Sequence, residues 1–228
     1  MFGVLISHFG LVLDRDQTAI ADVLYLIGKF ASPTFMLVSG IMLGFLLAHA
    51  RNDTARLKVH LLDRALFLLI IGHPLIAVAL YHRGLPLSQQ WIHSFMTDTI
   101  ALCIILGILV TPRLSTHPRP LGALALYALS WVAVIAWLPH GLGARIVKEF
   151  VVGTIEVQDP YAQTIFSIMP WAAVYFAGTV IGEGLPDLRV GGVRETGRRF
   201  LIGGALAVVT GLGVKAVYLV VRPVAWRA

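Results

Sequence analysis

Charged residues are scarce in this sequence. Asp, Glu, Lys and Arg together make up 13% of its 228 residues, whereas a soluble domain carries about 25%. Apolar residues make up 57% of the chain, and the mean hydropathy is +0.82. Because so few charges cannot cover a globular surface in water, the outer surface of the protein must face lipid. The composition predicts an integral, multi-pass membrane protein.

Cysteine is nearly absent as well, with Cys103 alone inside an apolar run. A single cysteine excludes an intramolecular disulfide and argues against a thiolate metal site, so Cys103 is interpreted as a packing residue. The acidic residues show no metal-ligand spacing, and the sequence contains no P-loop, GxSxG or HExxH motif. We therefore expect no bound metal and no active site of a known soluble-enzyme type.

Long apolar runs are abundant, and six of them reach or approach the ~20 residues that span a bilayer. Such runs form helices, because a helix satisfies its own backbone hydrogen bonds in lipid. With the shorter run Met1–Leu13, they predict an all-α bundle of six full transmembrane helices plus one shortened N-terminal helix. This bundle is expected to form a single integral-membrane domain over residues 1–228. The six runs are Ile20–Ala50, Leu61–Tyr81, Ile92–Val110, Leu121–Leu138, Tyr161–Ile181 and Phe200–Val221.

The short first run has a consequence for the N-terminus. A spanning helix that ends at Leu13 would begin about seven residues before Met1, given the ~20 residues that a bilayer requires. The segment either tilts in the interface or lacks its natural start. We favour a missing start.

Basic residues concentrate in three loops, which cover residues 51–64, 111–120 and 182–199. Short loops rich in Lys and Arg stay in the cytoplasm, so we expect these three loops on the cytoplasmic side of the membrane. The same topology explains the net charge of +6, and no nucleic acid partner is expected. The expected location is the plasma (cell inner) membrane.

Ionisable residues inside a membrane are energetically costly and mark candidate sites by default. Five of them stand out within the apolar runs of this sequence. Under the predicted topology four lie toward the outer half of the membrane. The fifth, His73, lies deeper, about 13 Å along its helix from Arg64. The five residues are His8, Lys29, His73, Asp98 and Lys215.

Each of these residues also has a purely structural interpretation. Lys29 and Lys215 could extend along the helix to the outer headgroups. His73 could be a satisfied core residue beside a proline kink, and Asp98 could cap the first turn of its helix. For His8, physical chemistry alone leaves the catalytic and the structural interpretation equally open.

Glycines at helical spacing carry a second prediction. Gly40 and Gly44, and likewise Gly178 and Gly182, have the GxxxG spacing that allows two helices to approach closely. We expect these glycines to serve helix packing.

Three segments resemble the heparan-α-glucosaminide N-acetyltransferase catalytic-domain family, a group of transmembrane acyltransferases. Phe30–Ala48 is similar to a family helix that has an Ala-Pro-x-Phe step, here Ser32–Phe35, followed by a Gly-ended apolar run. Leu61–His73 resembles the basic, cytoplasm-facing start of the next helix. Phe166–Gly182 resembles a helix that carries Pro-Trp and a later Gly. The family pattern also begins with an Arg-Gly segment that this sequence lacks, in keeping with a missing start.

The resemblance implies acyl transfer across a membrane. Acetyl-CoA or another acyl-CoA would give its acyl group from the cytoplasm to a sugar-containing acceptor on the outer side. The essential histidine of the family lies at or just after the outer end of its first helix, and His8 is the only histidine here before the second helix. Histidine suits a general base because its pKa starts at about 6.5.

Four further residues complete the expected site. Asp98 could orient the imidazole of His8 or bind sugar hydroxyls. Arg64 is the candidate for CoA phosphates, because it is expected at a helix entrance rather than in a loop. Lys29 and Lys215 lie on helix faces that should turn toward protein or a water-filled cavity, which makes them candidate substrate-binding residues.

Two other functions stay open from the sequence. One is a non-enzymatic polytopic protein, such as a small transporter or an assembly subunit, whose intramembrane charges line a permeation path. The other is an inactive paralogue of the acyltransferases. A transporter usually shows inverted repeats or broken helices in matching halves, and the sequence shows neither. Membrane lipids are partners in every case, and oligomerisation stays open.

Overall fold

The computed structural model describes residues 31–50, 53–81, 91, 94–114, 118–153, 166–185 and 198. By internal contacts the chain divides into two units, Met1–Gly184 and Leu185–Ala228, and the helices below belong to the first unit. Within the described residues the chain is all helical, which confirms the predicted fold class of a helical membrane bundle.

Seven helices are described, and we label them in chain order. By length and composition three helical segments can cross a membrane: Ala31–His49, Thr54–Ala79 and Arg119–Ala136. The first and last predicted segments, Met1–Leu13 and Phe200–Val221, lie outside the described residues, so the predicted number of spans stays a prediction. The helices are α1 (Ala31–His49), α2 (Thr54–Phe67), α3 (His73–Tyr81), α4 (Met96–Val110), α5 (Arg119–Ala136), α6 (Leu142–Val151) and α7 (Ile168–Gly184), and a π-helical turn, Leu68–Gly72, joins α2 to α3.

Glycines bring α1 and α7 into backbone contact. Their spacing predicted close helix packing but not which helices pair. A Cβ atom added to Gly40 would overlap the carbonyl oxygen of Tyr175, and one added to Gly44 would overlap that of Thr179. On the facing helix, a Cβ atom on Gly182 would overlap the carbonyl oxygen of Ile41. Contacts advance along both helices in the same direction, so α1 and α7 are parallel. Because the hydrophobic effect does not drive helices together inside a lipid bilayer, the van der Waals energy of such close packing is what stabilises their association.

The core lies where α4 meets this pair. Met36 of α1, Cys103 of α4 and Tyr175 of α7 are fully or almost fully buried in one apolar cluster. The packing role predicted for Cys103 is confirmed. Large apolar side chains point outward instead on α5, where Leu121 is 71% exposed and Ile135 is 67% exposed, as expected of a surface that lipid covers.

Several helix boundaries differ from the predicted ones, and two predicted starts are wrong by the most residues. The helix expected over Leu61–Tyr81 begins at Thr54. Its first turns carry exposed side chains such as Arg56 and Val59, whereas Ala65 further along is buried. A search for apolar runs therefore misses the first turns. The helix expected from Tyr161 is described from Ile168, where Ser167 and Phe166 lie outside the helix.

The helix α6 was not expected from the sequence. It follows α5 closely and carries two buried charged residues, Lys148 and Glu149. Lys148 donates a hydrogen bond from Nζ to the carbonyl oxygen of Val134 at 2.9 Å. That carbonyl belongs to the last turn of α5, whose C=O groups lack partners within the helix and favour a nearby cation. Lys148 therefore secures α6 to the end of α5.

The ends of five helices meet in one place. The C-terminal ends of α1, α4 and α7 and the N-terminal ends of α2 and α5 line a common cleft. Each of the three segments that were predicted to share a side of the membrane, residues 51–64, 111–120 and 182–199, has at least one residue in this cleft. We call this part of the bundle the Arg119 end, and the opposite part the His73 end.

Candidate active site

A break in helical geometry positions His73. Pro74 has no backbone N–H and its ring crowds the carbonyl four residues earlier, so an α-helix cannot run through it undisturbed. The disturbance takes the form of a π-helical turn, Leu68–Gly72, directly before His73. Such wider turns change the register of the side chains that follow, and they occur frequently at functional sites.

The side chain of His73 is hydrogen-bonded to that of Asp98 on α4. The Nδ1 atom of His73 and the Oδ2 atom of Asp98 are 2.9 Å apart. The same oxygen accepts a hydrogen bond from the backbone N–H of Phe95 at 2.8 Å. Asp98 therefore caps the first turn of α4, as one of its two interpretations predicted, and in addition holds an imidazole. His73 lies nine residues beyond Arg64 and 19 residues beyond the start of α2 at Thr54, and its depth in the membrane stays a prediction.

Two aromatic rings flank the imidazole. The ring centroid of His73 lies 5.2 Å from that of Phe95 and 5.6 Å from that of Trp91. Trp91 is 49% exposed, whereas the side chain of His73 is 16% exposed. The imidazole is thus partly sheltered, with an accessible indole beside it.

The start of α4 is also hydrogen-bonded to Phe166, two residues before α7. The hydroxyl groups of Thr99 and Ser94 both donate to the carbonyl oxygen of Phe166, at 2.7 and 3.2 Å. Both hydroxyl side chains are buried. These bonds hold α4 and α7 in a fixed relation at the His73 end, so the carboxylate of Asp98 has little freedom to move.

Two buried polar atoms at this end have no hydrogen-bond partner among the described residues: Oδ1 of Asp98 and Oγ1 of Thr97. Asp98 is 4% exposed. An unsatisfied buried polar group costs about 1–3 kcal/mol, more when it is charged. Native proteins keep few such groups, and they often serve function.

The Arg119 end has its own buried charge pair. Arg119, the first residue of α5, donates from Nε and Nη2 to the carbonyl oxygen of Leu114, at 3.0 and 2.6 Å. Its Nη1 donates to Oε1 of Glu183 on α7. A cation at a helix N-terminus opposes the helix dipole, so the carboxylate of Glu183 and the carbonyl group offset an otherwise unfavourable position.

Beside this pair lies a cleft of about 340 Å³. Apolar and polar groups share its wall, and the hydroxyl group of Thr111 is buried there with no hydrogen-bond partner among the described residues. Arg64 is not among the lining residues. The cleft is lined by Leu47, Ala48, Thr54, Thr111, Pro112, Arg119 and Glu183.

A comparison with known families decides what kind of protein this is. The family described as heparan-alpha-glucosaminide N-acetyltransferase, catalytic, matches residues 1–223. The chain belongs to this family. No curated protein and no solved structure matches the chain. As a member of the heparan-alpha-glucosaminide N-acetyltransferase catalytic-domain family, it is a protein of a membrane acyltransferase family, and the family supports an acyl-CoA donor in broad terms.

Of the five site residues predicted for this acyltransferase-family protein, two lie among the residues that the structure describes. Asp98 is buried and paired with His73. Arg64 is exposed in the last turn of α2, ten residues inside the helix rather than at its entrance. The other three predicted residues, His8, Lys29 and Lys215, lie outside the described residues.

The sequence marked both His73 and Asp98 as candidates but did not predict that they pair. His73 and Asp98 are 25 residues apart, and no short motif links them. The useful signal was the coincidence of a histidine directly before Pro74 with a lone carboxylate inside another apolar run. Arg119 was counted as a loop cation, because nothing in its neighbourhood indicated that Glu183 would reach it.

Proposed function

We propose that this protein is a membrane-embedded acyltransferase. It moves an acetyl or other acyl group from acyl-CoA on the cytoplasmic side to a sugar-containing acceptor on the outer side of the plasma (cell inner) membrane. The observation that carries the proposal is the family match over residues 1–223. Helices of spanning length and composition support the membrane part.

The two ends of the bundle suit the two substrates. Residues at or near the starts of all three basic segments, Thr54, Thr111 and Glu183, line the Arg119 cleft, which supports a cytoplasmic assignment for that end. A cytoplasmic cleft with cations in its surroundings is a suitable entry for the phosphate-bearing donor. The His73 end, with its imidazole, carboxylate and indole, is then the outer end, where the acceptor arrives.

The proposed residue roles follow the family resemblance and the chemistry of the side chains. His8 is the general base, and Asp98 is the carboxylate of the acceptor side. Arg64 binds the phosphates of acyl-CoA from its exposed position in the last turn of α2, while Lys29 and Lys215 contact the substrates. No step calls for a metal ion.

The reaction itself is a substitution at the thioester carbonyl carbon. The acceptor nitrogen or oxygen forms a bond to that carbon, and the bond from carbon to sulfur breaks. A neutral imidazole takes the proton of the acceptor, and the departing CoA thiolate takes up a proton. A base with a pKa near the working pH accelerates such a step by about 10²–10⁴-fold.

Replacement of His8 by alanine tests this proposal. We expect His8→Ala to reduce transfer of radiolabelled acetyl groups from acetyl-CoA to glucosamine by at least about 100-fold, because the base is lost. The measurement uses membranes that contain equal amounts of each variant, as judged by immunoblot. His60→Ala, on the exposed face of α2, is the matched control and should retain activity.

Two results would count against the proposal. Full activity of His8→Ala would remove His8 from the mechanism. Absence of any acetyl transfer by the wild-type protein would favour a non-enzymatic role or an inactive paralogue.

A further inference from the structure

The His73–Asp98 pair points to a binding site that the proposed reaction does not yet use. We propose that His73 and Trp91 bind the sugar ring of the acceptor, with Asp98 fixing the orientation of the imidazole. The inference rests on the proposed function for the identity of the ligand as an acceptor. The site itself is argued from contacts at the His73 end.

The carboxylate determines which imidazole nitrogen faces the ligand. An ionised carboxylate oxygen only accepts hydrogen bonds, so at 2.9 Å the Nδ1 atom of His73 carries the hydrogen that Oδ2 of Asp98 accepts. In the neutral ring Nε2 then presents a lone pair. That lone pair can accept a hydrogen bond from a sugar hydroxyl or amine. Asp98 is therefore a positioning residue, and His73 is the residue that would touch the ligand.

The carboxylate is more than a helix cap. A cap needs only one acceptor, and the N–H of Phe95 supplies the donor for it at 2.8 Å. Asp98 holds His73 through the same oxygen and keeps Oδ1 buried without a partner among the described residues. Buried carboxylates with structural roles satisfy both oxygens as a rule. The arrangement keeps a strongly accepting carboxylate behind the imidazole, as in sites where a carboxylate orients a histidine.

The backbone supports this interpretation of His73. The π-helical turn Leu68–Gly72 directs the side chains that follow it, beginning with His73. A regular α-helix up to residue 73 would present the ring at a different angle around the axis, away from its present line to Asp98. A wider turn is less favourable than an α-helix, and its presence immediately before the imidazole suits a site where orientation matters.

The indole supplies a surface of the right kind for a sugar. One face of a pyranose ring is made of C–H groups and packs on aromatic rings, while its hydroxyl groups form hydrogen bonds at the edge. Trp91 is 49% exposed, and its ring centroid lies 5.6 Å from that of His73. An apolar surface and a hydrogen-bond acceptor therefore lie within the span of one sugar ring.

Histidine labelling with mass spectrometry tests the site directly on the full chain in detergent. Diethyl pyrocarbonate modifies accessible imidazoles, and the probes are N-acetylglucosamine and methyl glucoside, which have no free amine to consume the reagent. We expect either sugar to slow the modification of His73 several-fold. His60, exposed on α2, is the internal control and should react at the same rate with and without sugar.

Kinetics give the second arm of the test. His73→Gln and, separately, Trp91→Leu should each raise the KM for glucosamine about tenfold, the effect of losing one hydrogen bond or one packing surface. The KM for acetyl-CoA should stay at its wild-type value, as should both constants for His60→Gln. A residue with a merely structural role would change stability or both KM values together.

The outcomes separate this site from the proposed function. Labelling of His73 that neither sugar slows, or a His73 that does not react at all, would overturn the sugar site. A selective rise in the KM for acetyl-CoA would overturn it as well. If the wild-type protein transfers no acetyl group while sugars still protect His73, the site stands and the proposed reaction fails.

Discussion

At the scale of single residues, Asp98 joins two parts of the bundle through one carboxylate oxygen. One of its oxygens serves both the backbone N–H of Phe95 and the imidazole of His73. Hydrogen bonds to a charged group are stronger than neutral ones, at about 1.5–3 kcal/mol each. The residue therefore links the stability of α4 to the geometry of the candidate site.

Replacement of Asp98 should expose this link. We expect Asp98→Ala to lower the free energy of unfolding by about 3 kcal/mol, because two hydrogen bonds of ~1.5 kcal/mol or more are lost. Thermal unfolding in detergent measures the change as a lower Tm. Asp63→Ala, at an exposed position on α2, is the control and should leave Tm unchanged. Equal Tm values for the two variants would show that Asp98 does not stabilise the bundle.

Residue identities could be picked out from the sequence, but residue pairs could not. The rarity of charge within apolar runs marked Asp98 and His73 as candidates. Whether their side chains meet depends on the rotation of two helices about their axes, and the π-helical turn Leu68–Gly72 changes that rotation for His73. Apolar residues flank both His73 and Asp98 on all sides in the sequence, so the hydropathy pattern does not indicate how either helix is rotated about its axis.

At the scale of helices, close packing of α1 on α7 is the feature that the sequence predicted best. The GxxxG spacing indicates both which faces meet and how closely, because a missing Cβ has a direct geometric effect. Boundaries were harder to predict. The polar first half of α2 resembles a loop in a hydropathy profile, and α6 is short and amphipathic, so both escaped a search for long apolar runs.

A single methyl group should disturb this packing. We expect Gly40→Ala to destabilise the bundle by about 1–3 kcal/mol, because the added carbon overlaps the backbone of Tyr175 and forces the helices apart. Thermal unfolding in detergent again supplies the measurement. Gly122→Ala is the matched control, since a Cβ atom at Gly122 meets nothing within 4 Å.

The sign of the difference decides the interpretation. A Gly122→Ala protein as stable as the wild type, or slightly more so, is expected from the better helix propensity of alanine. Equal stability of Gly40→Ala would mean that α1 and α7 are not in backbone contact.

At the scale of the whole molecule, the described bundle has two chemically different ends. The Arg119 end combines a cleft with a buried cation, Arg119. The His73 end combines an imidazole, a carboxylate and an indole. The proposed transfer between substrates on opposite sides of a membrane calls for this kind of asymmetry, and the family match over residues 1–223 supports acyl transfer as the chemistry.

The measurement that tests this account most directly is the sidedness of transfer in sealed membrane vesicles. Vesicles with the cytoplasmic face outward are loaded with glucosamine and supplied externally with radiolabelled acetyl-CoA, which does not cross the membrane. The account predicts labelled N-acetylglucosamine inside these vesicles, and none inside vesicles of the opposite orientation or with His8→Ala. Equal labelling in both orientations, or no labelling above that of membranes without the protein, would contradict it.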